Sequence, residues 1–213
     1  MEFEGHFHND RGFSLFNALE AVRSGMSYLN TTILGIGERS GITSLTALMF
    51  NLFIEKEYDL LKDYNLRESY PLNILLADKL NCLVPPTEPV SLTNRTHTAG
   101  VHQKAVLADR AAYEAHPLDQ FGVTDSEILL GPLSGWNMVH YFLKEIKGFL
   151  LDEAQSKAIA ARFEERVYQL EPGQSPSDFL VHLAGTDFGL SRIATPEPFR
   201  DTIVQNMHRT QEG

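Results

Sequence analysis

Two histidines separated by one residue lie near the start of the chain, in the segment 5–10 (GHFHND). Side chains alternate between the two faces of a β-strand, so His6 and His8 project to the same face and can share one metal ion. Cys82 is the only cysteine, so this metal would be held by nitrogen and oxygen. Two neutral imidazoles leave open positions on a divalent ion, and an ion held in this way can act as a Lewis acid. The alternative is a pair held by hydrogen bonds without a metal.

The elements that position these histidines are predicted to form a βαβα unit. Alternation through 2–8 predicts a strand, and apolar residues spaced by three predict a helix over 13–24. A second strand is predicted over 28–34, followed by a helix capped by Thr43 or Ser44. This order indicates a parallel sheet, and functional sites in such sheets lie at the carboxyl ends of the strands.

The rest of the chain has a different character. One or two helices are predicted over 58–80, interrupted at Tyr70-Pro71, and three prolines over 85–89 predict an extended linker. Beyond the linker we predict no strand. Helices are predicted over 136–149 and 152–170, and two more are predicted to begin at prolines that follow capping residues, namely Ser175 and Thr195.

Composition excludes several classes of function. The chain has 213 residues, 43% of them hydrophobic, which is enough for a substantial core. Its net charge of -10, without a run of Lys or Arg, argues against nucleic acid as a partner. No apolar run approaches the ~20 residues that span a bilayer, and the amino terminus lacks the layout of a signal peptide. We therefore expect a cytoplasmic protein without a membrane partner.

Two more segments combine glycines with polar residues. The first is 34–41 (LGIGERSG), and the second is 96–104 (THTAGVHQK). No lysine follows the glycines of the first segment as a P-loop requires, so these glycines shape the backbone and do not cradle a phosphate.

Together the three segments resemble the carboxyl-terminal half of the homocitrate synthase and 2-isopropylmalate synthase family, metal-dependent Claisen-condensing enzymes on a TIM barrel. Segment 3–12 resembles the family's His-x-His-Asn-Asp strand, 34–41 its Gly-x-Gly-Glu-Arg turn, and 96–104 its Thr-His-x-x-Gly-x-His segment. Their order and spacing agree with the family over about 2–170. Three motifs that agree in order and spacing are specific evidence for this family, whereas any one of them alone would be weak evidence.

The resemblance implies an α/β fold: the last two β/α units of a TIM barrel followed by a mainly helical carboxyl-terminal region. It divides the chain into a partial barrel with strands seven and eight (1–57), a helical linker (58–90) and a helical lid (91–213). The first six strands and their carboxylate metal ligand have no counterpart, and two strands cannot close a barrel. We therefore expect a companion: an amino-terminal barrel subunit, another copy in a homo-oligomer, or the rest of a longer protein.

The resemblance also implies a role for each site residue. His102 is the base that removes a proton from acetyl-CoA, with Tyr113 assisting it, and in the family this segment reaches over the barrel of a partner subunit. Structural roles are the alternatives: a turn-fixing Glu38–Arg39 pair, a surface histidine and a packing tyrosine. The implied assignments are His6 and His8 for a divalent ion (Mg, Mn or Zn), Glu38, His102 and Tyr113 for catalysis, and Arg39, Thr96 and His97 for substrate binding.

The implied activity is an acyltransferase reaction that condenses acetyl-CoA with a 2-oxo acid such as 2-oxoglutarate. Ile42 and Lys104 match the homocitrate synthase version of the motifs. One alternative is 2-isopropylmalate or citramalate synthase activity, and another is a non-catalytic or regulatory relic. Acyl-CoA lyase chemistry is disfavoured because Cys82 does not lie in the glycine-rich loop which that chemistry uses.

Overall fold

The computed structural model describes residues 1–171 and 173–192, together with the backbone of 202–206. The chain divides into two compact units: the first contains 1–94 and 116–124, and the second contains 95–115 and the chain from 125 onward. The helix predicted after Thr195 lies outside the described residues. No helix in the described part is long and apolar enough to cross a membrane. The three-part division made from the sequence stays a prediction.

The first unit contains the predicted βαβα arrangement. Strands β1 and β2 are parallel neighbours, with Glu4 opposite Tyr28 and His6 opposite Asn30. Helix α1 connects them, and helix α2 follows β2, which confirms the predicted order of elements. The bounds are β1 (Glu4–His6), α1 (Ser14–Arg23), β2 (Tyr28–Asn30), α2 (Leu45–Ile54) and α3 (Ser69–Lys79).

Helix α2 supplies much of the first unit's core. Ser44 caps it, as predicted, by accepting a hydrogen bond from the Ala47 N–H at 3.3 Å. The ring of Phe121 lies edge-on to Phe50 and Phe53, with centroids 5.4 and 5.5 Å apart. Such aromatic pairs add roughly 0.5–1.5 kcal/mol to the gain from burial, so this cluster holds 116–124 on α2.

Two predictions for the first unit were wrong in detail. The second strand ends at Asn30 and does not continue to Leu34, because Leu34 has a left-handed φ of 58° within a short turn over Ile33–Gly35. The predicted break at Tyr70-Pro71 is absent, because Pro71 is the third residue of α3. The first turn of a helix has N–H groups without helical acceptors, so a proline costs no hydrogen bond there.

The second unit is mainly helical, as expected, but it also contains a parallel sheet, so the prediction that no strand follows the linker was wrong. Its three strands are parallel in the order β3–β4–β5. Four of the five residues of β4 are buried, so its sequence lacks the polar alternation that marks a half-exposed strand. The bounds are β3 (Thr96–His97), α4 (Gly100–Ala108), β4 (Ser126–Leu130), α5 (Trp136–Tyr141), α6 (Glu153–Val167), α7 (Pro176–His182) and β5 (Thr202–Asn206).

Helices α5 to α7 agree with the predicted helical segments. Asp152 caps α6 in a capping box with Gln155, and Ser175 caps α7 immediately before Pro176. A π-helical turn over Phe142–Ile146 extends α5. The core of this unit lies between these helices and β4, and its fully buried members include Ile128, Met138, Leu143, Ile159, Phe163 and Leu180.

Replacing Gly41 by alanine is expected to destabilise the turn that carries Glu38 and Arg39. Gly41 has φ +80°, and an added Cβ would lie 2.0 Å from the Gly35 carbonyl oxygen. Gly12 is a matched control because it has φ +77° but no atom within 4 Å of an added Cβ. We expect Gly12→Ala to lower the free energy of unfolding by about 1–2 kcal/mol and Gly41→Ala by roughly 1–3 kcal/mol more. Equal losses in urea unfolding would contradict this steric argument.

Candidate functional site

The two histidines of the first unit converge at the carboxyl end of β1. The Nε2 atoms of His6 and His8 are 3.3 Å apart, and the ring centroids are 5.0 Å apart. The shared face predicted from alternation therefore brings the two rings together. Glu4, which lies on the same face, uses its carboxylate to accept a hydrogen bond from the Asn30 amide.

Backbone hydrogen bonds join the loop after β1 to the loop after β2. His8 forms an isolated antiparallel bridge with Ile42, and the Asn9 N–H donates to the Gly41 carbonyl at 2.9 Å. The Asn9 side chain accepts hydrogen bonds from the N–H and the hydroxyl of Ser14, the first residue of α1, at 3.2 and 3.0 Å. The histidine loop is thus held by the glycine-rich turn on one side and by a helix start on the other.

Arg39 pairs mainly with Asp10 and not with Glu38. Its Nε and Nη2 donate to the two Asp10 carboxylate oxygens at 2.6 and 3.3 Å, whereas its Nη1 lies 3.7 Å from Glu38 Oε1. The hydrogen bond from Arg39 is the main reason why the pKa of Asp10 lies below its ordinary value. The Glu38 side chain is 80% exposed, and its described contact is this longer one. Arg39 therefore ties the two loops together.

The histidine pair fits a divalent ion as two of its ligands. Two nitrogens bound at ~2.0–2.1 Å to one tetrahedral ion lie about 3.4 Å apart, close to the observed separation. The same separation also suits one N–H···N hydrogen bond when no ion is bound. In the part of the chain that the structure describes, no three His, Cys, Asp or Glu side chains are grouped to hold a metal. Nδ1 of His8 is buried without a hydrogen-bond partner among these residues, although a metal-bound imidazole ordinarily donates its second N–H.

The predicted catalytic residues of the second unit lie together. The rings of His102 and Tyr113 have centroids 4.3 Å apart and are inclined by 33°, and His97 meets Tyr113 edge-on at 6.2 Å. His102 lies in the first turn of α4, where the Gly100 N–H donates to the Leu133 carbonyl. A Cβ on Gly100 would lie 2.6 Å from the Gly135 nitrogen, so this approach requires glycine.

A buried carboxylate lies beside this ring pair, and sequence reasoning missed it. The Glu114 side chain is 5% exposed, and its oxygens contact Arg95, His97, Arg110 and the Ser126 hydroxyl. These partners come from three separate segments, so spacing along the chain indicates only the Arg110–Glu114 pair, four residues apart, and not the whole cluster. In the same sheet the Thr96 hydroxyl donates to Glu127 at 2.9 Å, which ties the side chains of neighbouring strands.

The first unit also contains a cavity of about 410 Å³ between the two loops and the linker after α3. Glu88 from the linker lines it and accepts hydrogen bonds from the hydroxyls of Ser44 at 2.9 Å and Thr46 at 3.0 Å. Burial is the main cause of a raised pKa for the Glu88 carboxyl. This contact could not be predicted from the sequence, because a glutamate between prolines is typical of an exposed linker.

Comparison with known proteins gives matches to two family models. Residues 1–73 match the model described as HMGL-like, and residues 90–169 match the homocitrate synthase post-HMGL domain-like model. The matched segments contain the histidine pair and the His102–Tyr113 pair, respectively.

Similar curated proteins are homocitrate synthases and 2-isopropylmalate synthases. The mitochondrial homocitrate synthase of Schizosaccharomyces pombe is 33% identical over 165 residues, which are 77% of this chain and 39% of the relative. That of Yarrowia lipolytica is 34% identical, again over 77% of this chain and 37% of the relative. The 2-isopropylmalate synthase of Thermosynechococcus vestitus is 34% identical over 75% of this chain and 32% of the relative. The chain thus spans between 32% and 39% of the length of these relatives.

Replacing Glu88 by glutamine is expected to change how stability depends on pH. Because the folded state raises the pKa of this carboxyl, its stabilising effect is complete below the ordinary value of 4.5 and is lost as the pH rises through the folded-state pKa. The free energy of unfolding of the wild type should therefore fall relative to Glu88→Gln as the pH rises above 4.5. Urea unfolding across this range measures the difference. The exposed residue Glu57 gives a control, since Glu57→Gln should follow the wild type; parallel curves for Glu88→Gln would refute the argument.

Proposed function

Since the chain belongs to the homocitrate synthase and 2-isopropylmalate synthase family, whose fold is of the TIM-barrel α/β type, we propose that it is the carboxyl-terminal part of a condensing acyltransferase. The reaction joins acetyl-CoA to a 2-oxo acid. In this proposal β1 and β2 with their helices correspond to the seventh and eighth units of the barrel. The homocitrate synthase relatives, together with Ile42 and Lys104, favour a 2-oxo dicarboxylate such as 2-oxoglutarate.

The convergence of the His6 and His8 Nε2 atoms to 3.3 Å carries this proposal. Two imidazoles on one strand end supply adjacent positions for a divalent ion, and they leave others open for a chelating 2-oxo acid. When bound, the ion would act as a Lewis acid on the ketone of the 2-oxo acid. Neither Cys nor a further carboxylate is grouped with the pair among the described residues, so a third protein ligand must come from elsewhere.

The protein's own proton transfer is assigned to His102. An imidazole suits removal of a proton from the acetyl-CoA methyl group near neutral pH, and Tyr113 lies 4.3 Å away, close enough to orient the ring. His97 borders this pair from β3, in keeping with a role in holding substrate and loop, and Thr96 precedes it in the same strand. Arg39 and Glu38 would act at the other strand end, where the exposed Glu38 carboxylate is free to meet substrate or a companion.

Activity should require a companion that supplies the rest of the barrel, on the same polypeptide, on another subunit or in a homo-oligomer. The described β1–β2 sheet has only two strands, and both therefore have a free edge. Aromatic residues around it are exposed by more than half: Phe3, Phe13, Phe16 and Tyr28. Apolar surface of this kind is usually covered in the complete protein. The incomplete ligand set points to the same requirement.

Two alternatives remain. A 2-isopropylmalate or citramalate synthase activity is supported by the 2-isopropylmalate synthase relatives and differs only in the 2-oxo acid. A non-catalytic or regulatory relic is supported by the absence of a third grouped ligand in the described part of the chain. Metal binding separates the relic from the enzyme, and the substrate used for turnover separates the two enzymes.

Divalent-ion binding is expected once the barrel is complete. The chain is mixed with a polypeptide carrying the first six strands of a family barrel, and Mn²⁺ or Zn²⁺ binding is measured by calorimetry. His6→Gln or His8→Gln should weaken binding by about 10–100-fold or more, because each removes a ligand. His182→Gln, which alters a 60% exposed histidine, is the control. A wild type that binds no ion in this mixture would favour the relic.

Turnover is measured in the same mixture as thiol release from acetyl-CoA that depends on a 2-oxo acid. We expect release with 2-oxoglutarate and less with a 2-oxo monocarboxylate. His102→Gln should lower kcat by about 10²–10⁴-fold, as loss of a general base does, whereas His182→Gln should not. If the wild-type mixture binds the ion but releases no thiol with any 2-oxo acid, the proposed reaction is wrong.

A further inference from the structure

The position of the Tyr113 ring is not explained by its own packing. Tyr113 is 45% exposed and follows a short 3-10 turn over Arg110–Ala112. An exposed side chain after such a turn ordinarily moves among rotamers. Its ring nevertheless lies on His102 at 4.3 Å and meets His97 edge-on. Something next to it must hold the backbone from which it projects.

Glu114, the residue after Tyr113, has a buried side chain instead of an exposed one. The Glu114 side chain is 5% exposed, and each of its carboxylate oxygens is engaged. Oε1 lies 3.3 Å from Nε2 of His97 and accepts a hydrogen bond from the Ser126 hydroxyl. Oε2 lies 3.4 Å from Nε of Arg95 and 3.2 Å from Nη2 of Arg110.

These four partners come from different parts of the second unit. His97 lies in β3 and Ser126 begins β4, so the carboxylate is fixed to two neighbouring strands. Arg95 precedes β3 and is 3% exposed, and Arg110 lies four residues before Glu114 in the turn that leads to Tyr113. Charge-assisted hydrogen bonds in a buried setting are among the strongest polar contacts in proteins.

We propose that Glu114 is the positioning residue of the His102–Tyr113 pair. Its carboxylate anchors residue 114 to both strands, which holds the backbone of the adjacent residue 113, and it also contacts His97, the edge-on neighbour of the Tyr113 ring. Among the described contacts of Glu114, no hydrogen bond or ion pair joins it to His102, so it acts through Tyr113 and His97 and is not itself a catalytic residue. The catalytic meaning of the pair rests on the proposed function, but the positioning of the rings does not.

The test is made first on the 213-residue chain without substrate or companion. NMR cross-relaxation between the Tyr113 and His102 rings reports their contact, and the amide signals of β4 report whether the unit stays folded. Glu114→Gln keeps the size of the side chain but removes its charge, so we expect most of the ring-to-ring signal to disappear while the β4 signals remain. Glu165→Gln, which breaks an exposed pair with Arg162, is the matched control and should leave the signal intact.

A second variant covers the case in which Glu114→Gln does not fold. Glu114→Asp retains the charge but withdraws the carboxylate by one methylene, so the partners stay charge-balanced while Tyr113 loses its fixed position. We expect loss of most of the ring-to-ring signal here also. An undiminished Tyr113–His102 signal in a folded Glu114→Gln or Glu114→Asp protein overturns the proposal.

A kinetic measurement in the companion mixture then connects positioning to turnover. Glu114→Gln should lower kcat by about tenfold or more with little change in the KM for the 2-oxo acid, because misplacement of the base affects the chemical step. If the wild-type mixture is inactive, the proposed function fails, and the NMR result still decides the role of Glu114. If the mixture is active and the variant keeps the wild-type kcat, the positioning role is wrong.

Discussion

Parallel pairing of β1 with β2 is the interaction on which the histidine site depends. Each strand has three residues, and a two-stranded sheet is marginal in water on its own. Its pairing becomes firm because the loops beyond the strands are joined as well, through the His8–Ile42 bridge and the Arg39–Asp10 pair. A shift of one residue in this pairing would turn His6 to the opposite face, since side chains alternate. The register of the two strands therefore determines the geometry of the histidine site.

In the second unit, the rings of His102 and Tyr113 are positioned by a different interaction. Strand β3 has two residues, which is too few to fix side chains by ladder hydrogen bonds alone. A buried carboxylate with cationic and hydroxyl partners takes over that role, and the Glu114 cluster joins β3, β4 and the turn before Tyr113. Unlike a hydrophobic core, such a cluster is sensitive to the loss of a single charged or polar partner. Buried charges are costly to desolvate, so the loss of one partner leaves the others in an unfavourable environment.

The sequence predicted the elements whose signals are local. Alternation placed His6 and His8 on one face, and residue type predicted two caps that precede their helices: Ser44, one of two candidates, and Ser175. The strand β4 was missed because a short buried apolar segment has no periodicity that separates a strand from a helix. The main partner of Arg39 was missed for a different reason, namely its distance along the chain, and the pair with Glu38 was only an alternative. Glu38 is adjacent in sequence, but Asp10, 29 residues away, has the better geometry.

Three features of the first unit have one physical explanation. Its sheet has free edges, aromatic side chains around it are exposed, and its histidine pair has no third grouped ligand in the described part of the chain. Separately, each would be unfavourable: an open edge invites pairing, exposed apolar surface forgoes about 25 cal/mol per Å² of burial, and two ligands bind an ion weakly. Further strands beside β1 and β2 would remove all three costs at once, by pairing the edges, covering the aromatic rings and supplying an oxygen ligand. Nδ1 of His8, which is buried and has no hydrogen-bond partner among the described residues, is a fourth sign of the same kind, because a hydrogen-bond acceptor on such a strand would satisfy it.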